Sequence, residues 1–156
     1  MTLHRPEILE GLRAEDAAAV LALASRTTLA SGATLFDLGS NADALYVVER
    51  GRISLTLPME IGGRRQDVLV EERMPGQMLG WSALVPPHRF TLKAVAPLES
   101  ELLVFPRSAL LEYFESRPDV GYQVTRNVSA VIGQRLQVLQ AMWLREVRRV
   151  VELRYA

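Results

Sequence analysis

The run Gly76-Gln77-Met78-Leu79-Gly80-Trp81-Ser82-Ala83-Leu84-Val85-Pro86-Pro87-His88-Arg89-Phe90-Thr91-Leu92-Lys93-Ala94 decides how the rest of the chain is read. Gly76 and Gly80 bound a short loop that enters an apolar turn at Ser82, Ala83 and Leu84. Pro86-Pro87 stops that turn, and from Phe90 the texture is that of a β-strand. A loop of this layout presents backbone N–H groups at the start of a helical turn, where an anion can sit. The charged side chains expected in such a cradle are missing from its first half.

To either side, from Ala33 to about Phe105, lie short β-rich runs: Thr34–Asp37, Leu45–Glu49, Arg52–Leu57, Asp67–Glu72, Phe90–Val95 and Glu101–Phe105. Turn signals separate them. Glu49-Arg50-Gly51-Arg52 joins two runs through a glycine able to take positive φ, and Ile61-Gly62-Gly63-Arg64 reads as a hairpin turn. Short strands at this spacing predict a sandwich or barrel. Before them, Glu7 to Ser25 reads as helical, with Ile8, Leu9 and Leu12 followed by an Ala-rich segment of strong helix formers. After them, Ser108 to Glu115 is a short helix, and Pro118-Asp119 opens a long one reaching the C-terminus, roughly 55 Å at about 1.5 Å per residue.

A helix of that length overshoots one small domain. Val128, Ile132, Leu136, Leu139, Trp143, Val147 and Val150 fall close to the alternation of a coiled-coil seam, which predicts a homodimer. The other reading folds the helix back and buries the stripe on its own barrel. Gly133 weakens the helix slightly or lets a second helix approach.

Composition narrows the functional classes. The chain has 156 residues, 49% of them hydrophobic, enough for the core of one domain. Its 18 basic and 18 acidic residues cancel, so overall charge draws it to neither nucleic acid nor membrane. With no cysteine there is no disulfide, thiol nucleophile or thiolate metal site. No Gly-x-Ser-x-Gly, Walker loop or metal-binding spacing is present, and the two histidines, His4 and His88, lie far apart. The reading is non-enzymatic, with no catalytic and no metal residues. Neither a signal-peptide h-region nor a membrane span of about 20 apolar residues is found, which predicts a cytoplasmic protein.

The order of a helical cap, about eight β-runs with a loop after Gly76, a short helix and a long helix resembles the cyclic-nucleotide-binding domain of the catabolite-activator and protein-kinase-A regulatory-subunit superfamily. Two stretches carry the resemblance: Leu45-Tyr46-Val47-Val48-Glu49-Arg50-Gly51-Arg52-Ile53, similar to the family's strand–glycine–strand signature, and Gly80 to Ala94, similar to its phosphate-binding cassette. The resemblance implies a mainly β fold with flanking helices, a double-stranded β-helix (jelly-roll) barrel followed by a long dimerisation helix. Residues 1–117 would form the barrel with its cap, and 118–156 the helix of the same domain. It further implies a regulatory module that binds cAMP, cGMP or another nucleotide or anion through Met78, Leu79, Gly80, Trp81, Ser82, Ala83, Leu84, His88, Arg89 and Phe90. Signalling would pass through the C-terminal helix to a protein partner. The cassette pattern also resembles that of small stand-alone bacterial members.

The cassette departs from the family at its two polar contacts. Gly80, Ala83 and Leu84 match, but Trp81 stands where the ribose-binding Glu is expected and His88 where the phosphate-binding Arg is expected. Losing one charge-assisted bond costs about 1.5–3 kcal/mol, or roughly 10- to 150-fold in affinity. A one-residue adjustment after Pro87 would bring Arg89 to the phosphate; without it, Arg89 is a solvated arginine. Trp81 closes the pocket, stacks on a flat ligand or fills core, and His88 either assists as a donor or faces solvent. Two other readings remain: a dimerisation scaffold whose pocket Trp81 occludes, and a truncated transcription regulator. The terminal arginines Arg145, Arg148, Arg149 and Arg154 are diluted by Glu146 and Glu152 and no recognition helix follows, so direct DNA binding is not expected.

Overall fold

Among the described residues, eight strands pair into two four-stranded antiparallel sheets, and the chain passes repeatedly between them. The computed structural model describes residues 5–156, so His4 lies outside the described residues. One sheet runs in the order β1 (Ser25–Leu29), β8 (Ser100–Pro106), β3 (Ala44–Arg50), β6 (Met78–Leu79). The other runs β2 (Thr34–Phe36), β7 (Lys93–Val95), β4 (Ile53–Ile61), β5 (Arg64–Arg73). This is the jelly-roll barrel the sequence implied, with its core between the facing sheets. Leu45, Val47, Ile53, Leu55, Leu102 and Phe105 are almost fully buried there. Half of them, Val47, Ile53 and Phe105, are of types with high strand propensity, which pack well on a pleated surface.

The turn at Gly51 is sterically required. Its φ is +81°, and a Cβ there would lie 2.3 Å from Ser100 Oγ and 2.7 Å from the Glu99 carbonyl oxygen. The turn at Gly62-Gly63 closes the β4–β5 hairpin, whose register runs from Ile53↔Arg73 to Ile61↔Arg64. Its outer half leaves Leu57, Met59, Ile61 and Leu69 exposed.

The N-terminal segment corrects the sequence reading. Glu7 to Ser25 is not one helix: Glu7–Leu9 is a single 3-10 turn, and α1 spans only Ala14–Leu21. Ser25–Leu29 leaves the helical run because β8 offers it a full antiparallel ladder, from Ser25↔Val104 to Leu29↔Ser100. Phe90 to Leu92 is likewise not strand, and β7 begins only at Lys93.

α2 (Arg107–Ser116) leads into α3 (Pro118–Tyr155), 38 residues long. The first half of α3 lies on the barrel. Val120, Val124, Val128 and Val131 are buried against it, and Asn127 Nδ2 donates to the carbonyls of Ile8 (2.9 Å) and Glu10 (2.8 Å). Val128 and the half-buried Ile132 therefore belong to the protein's own core rather than to an intermolecular seam, because the 3-10 turn and barrel already cover that face. From Leu136 onward every residue is exposed except the half-buried Met142. No helix among the described residues is long and apolar enough to cross a membrane.

Candidate ligand pocket

Gly80 ends β6 with φ +80°, and a Cβ there would come within 3.2 Å of the Tyr46 ring and 3.3 Å of both the Ala44 carbonyl oxygen and the Phe90 ring. Only glycine lets the chain turn so tightly against β3. Trp81–Leu84 then forms a 3-10 turn with Ser82 and Ala83 buried. The Pro86-Pro87 peptide is cis and His88 has φ +58°. Past this turn Phe90 stacks on Phe36, with ring centroids 3.6 Å apart.

Beneath this turn lies a cavity of about 10 Å³. It has room for about one water molecule. Among its lining residues are Phe36, Leu55, Gly80, Trp81, Phe90 and Arg135. Of the ten residues singled out from sequence, Gly80, Trp81, Ser82 and Phe90 meet at this cavity. Met78, Leu79 and Ala83 are buried in the core, and the partly buried Leu84 packs against it.

The two candidate cations lie elsewhere. His88 is held by the turn itself: its N–H donates to the Val85 carbonyl (2.9 Å), its carbonyl accepts from Ala42 N–H (2.8 Å), and Nδ1 sits 3.2 Å from the Ser82 carbonyl oxygen. Arg89 is exposed, and its Nη1 donates to the Gly39 carbonyl at 3.0 Å. Neither lines the cavity.

The cation that does line it is Arg135 of α3, which the sequence reading did not single out. It is 6% exposed, and its Nε donates to Glu71 Oε2 at 2.9 Å. Its Nη2 is buried without a partner, as is Trp81 Nε1. Burial lowers the Arg135 pKa, and the hydrogen bond and charge of Glu71 oppose that shift. Glu71 also accepts from Arg73 Nη1 at 2.6 Å, and Arg73 donates to the Met78 carbonyl at 2.8 Å and to Glu7. Glu7 in turn accepts from the Met78 N–H at 2.7 Å. A chain of alternating charge, Glu7–Arg73–Glu71–Arg135, its arginines buried and its glutamates half-buried, thus ties the N-terminal turn, β5, β6 and α3 together. The signal for Arg135 was present in the spacing: Val120, Val124, Val128, Val131 and Arg135 are steps of four, four, three and four along one helix face. An arginine at the end of an apolar stripe reads as solvated unless the barrel supplies its counter-charge.

The sequence pattern of the cyclic nucleotide-binding domain matches residues 26–117. The chain belongs to the cyclic nucleotide-binding domain family. Among solved structures, the N-terminal domain of a transcriptional regulator from Streptomyces coelicolor is 30% identical, with a TM-score of 0.69 over 85% of this chain and 92% of that one. The catabolite activator protein of Thermus thermophilus is 25% identical, with a TM-score of 0.71 over 88% of this chain and 61% of that one. Among curated proteins, glutaminase 1 of Bradyrhizobium diazoefficiens is 29% identical over 143 residues. That match spans 89% of this cyclic nucleotide-binding domain but only 21% of the glutaminase. The family and fold are those of cyclic nucleotide-binding regulatory domains, similar to the N-terminal domain of a transcriptional regulator.

Proposed function

We propose that this cyclic nucleotide-binding domain is a ligand-sensing regulatory module of the cytoplasm, acting as a homodimer. It binds cAMP or another nucleotide or anionic ligand in the pocket beneath Trp81 and passes the signal along α3 to a protein partner. One observation carries this reading: the helix that closes the pocket with Arg135 continues beyond the barrel as an exposed, partly apolar rod. A ligand that favours one placement of that helix shifts the rod's position in proportion to its differential affinity. The experiment is thermal unfolding with millimolar cAMP, cGMP and cyclic dinucleotides. Binding to the native state alone adds about 2.7 kcal/mol at a hundredfold excess over Kd. A concentration-dependent rise supports the sensor; no shift with any of them sinks it.

The small cavity favours a second reading, a dimerisation scaffold whose pocket is filled by its own Trp81. Under that reading Trp81→Glu with His88→Arg creates nucleotide binding where the native protein has none. The double variant restores a ribose acceptor and a permanent phosphate fork.

A further inference from the structure

We infer that the free edge of β5 is a self-pairing interface, where a second copy of this chain adds its own β5 antiparallel and extends the sheet. The inference is independent of the ligand pocket and of the exposed stripe on α3. β5 is the last strand of its sheet, paired with β4 alone. β4 in turn meets β7 only over residues 54–56, so residues 57–61 and 64–69 leave the barrel as a two-stranded ribbon. Such a ribbon is marginal in water, and an unpaired strand edge is a template for another strand.

The turn fixes which backbone groups face outward. Gly62 and Gly63, at φ +61° and +75°, form a two-residue hairpin loop, so its closing pair Ile61↔Arg64 exchanges hydrogen bonds. Alternation from that pair makes Glu60↔Arg65, Pro58↔Asp67 and Thr56↔Leu69 the pairs that do not. The N–H and C=O of Arg65, Asp67 and Leu69 therefore point away from β4. Pro58 fits this phase, because its missing N–H would point away from β5 to the uncovered side of β4. No other backbone group among the described residues reaches the three outward-facing positions.

A ladder between two copies must set outward-facing residues against each other, and charge separates the registers that do so. Centred on Arg65 or on Asp67, the ladder sets like charges face to face. Centred on Leu69, it sets Asp67 against Glu71. Centred on Val68, it sets Arg65 against Glu71, which already accepts from Arg73 and Arg135. Centred on Gln66, it pairs Arg65 with Asp67 of the second copy, twice about a two-fold axis, and Arg64 with Val68. The row across the seam then alternates in sign: Glu60, Arg65, Asp67 of the second copy and its Lys93, whose Nζ donates to Asp67 Oδ2 at 2.9 Å. On the other face, Leu57, Met59 and Ile61 of both copies lie on one continuous sheet. The ladder is short, well below a standard interface of about 1,600 Å², so association through it alone is weak, at about 0.1–1 mM.

The test is sedimentation velocity of the full chain carrying Trp143→Glu, which removes the α3 stripe from play, from about 20 µM to about 1 mM. The sedimentation coefficient is expected to rise toward that of a dimer. Adding Arg65→Asp or Asp67→Arg alone keeps the chain monomeric, and an equal mixture of the two regains the association, because each position again faces the opposite charge. The register has its own readout. The chain has no cysteine, so Gln66→Cys carries a single thiol. Two such positions would stand directly opposite with Cα atoms about 4.5 Å apart, within disulfide reach. Mild oxidation is expected to cross-link Gln66→Cys, and Arg64→Cys, which faces Val68, roughly tenfold less. A chain that stays monomeric throughout, single variants that associate as their parent does, a mixture that stays monomeric, or equal cross-linking at both positions overturns the inference. None of these outcomes bears on the sensor reading.

Discussion

Single residues in this barrel show how unevenly a site is written into its sequence. Gly51 was legible, because a glycine between two β-runs signals a backbone that other residues resist, and the structure adds that no space exists for a side chain. Gly51→Ala is expected to destabilise by about 2–5 kcal/mol, combining left-handed strain of about 1–2 kcal/mol with overpacking of about 1–3 kcal/mol. Gly80→Ala, whose Cβ would meet its neighbours at 3.2–3.3 Å, costs less, about 1–2 kcal/mol. Urea unfolding of the two variants checks the order, and a cost for Gly51→Ala below that of Gly80→Ala contradicts it. Arg135 was not legible as a pocket residue. Its helical position announced burial, but its charge argued for solvent, and the Glu71 that reconciles the two lies 64 positions away on β5. His88 and Arg89 drew attention through local spacing to a motif, yet the turn points them to the backbone carbonyls of Ser82 and Gly39, and neither side chain lines the cavity.

Among elements, the long strands and helices were readable, as was the three-residue β2, while the short strands β1 and β6 were not. β3, β4, β5 and β8 announced themselves through β-branched and apolar runs between turns. β1 reads Ser-Arg-Thr-Thr-Leu and follows an Ala-rich helix without a stop signal, so only its pairing with β8 makes it a strand. β6 has two residues and exists through Tyr46↔Leu79 and Val47↔Met78. The charge chain is the device that locks these elements together, and Arg73, 3% exposed, is its hub. Arg73→Ala strips donors from Glu7, Glu71 and the Met78 carbonyl at once. Breaking one side of a buried pair costs about 3–5 kcal/mol, so the expected result is a loss of that size in urea unfolding, with hydrogen-exchange protection falling in β6 and around Arg135. A loss below about 1 kcal/mol would show that the chain of charges contributes little to cohesion.

At the scale of the whole molecule, α3 divides into a half that belongs to the barrel and a half with nothing to cover it. Leu136, Leu139, Trp143, Val147 and Val150 are spaced three, four, four and three, close to the alternation of a two-helix seam, and every one is exposed, Trp143 to 65%. Burying such a stripe in a second copy removes apolar surface from water at about 25 cal/mol per Å², whereas an isolated rod keeps it all exposed. Net formal charge is zero, so no overall repulsion opposes self-association. The native protein is expected to sediment as a dimer at tens of micromolar, and Trp143→Glu, which places two carboxylates across the seam, to sediment as a monomer. Trp143 lies eight residues past the last barrel contact of α3 at Arg135, so the variant should unfold at nearly the same urea concentration once the lost dimer contribution is removed by comparison at low protein concentration. A native monomer at that concentration refutes the paired-helix arrangement and leaves the stripe to a different protein. A dimer that survives Trp143→Glu moves the interface to the exposed apolar outer half of the β4–β5 hairpin, where Leu57, Met59 and Ile61 share one uncovered face.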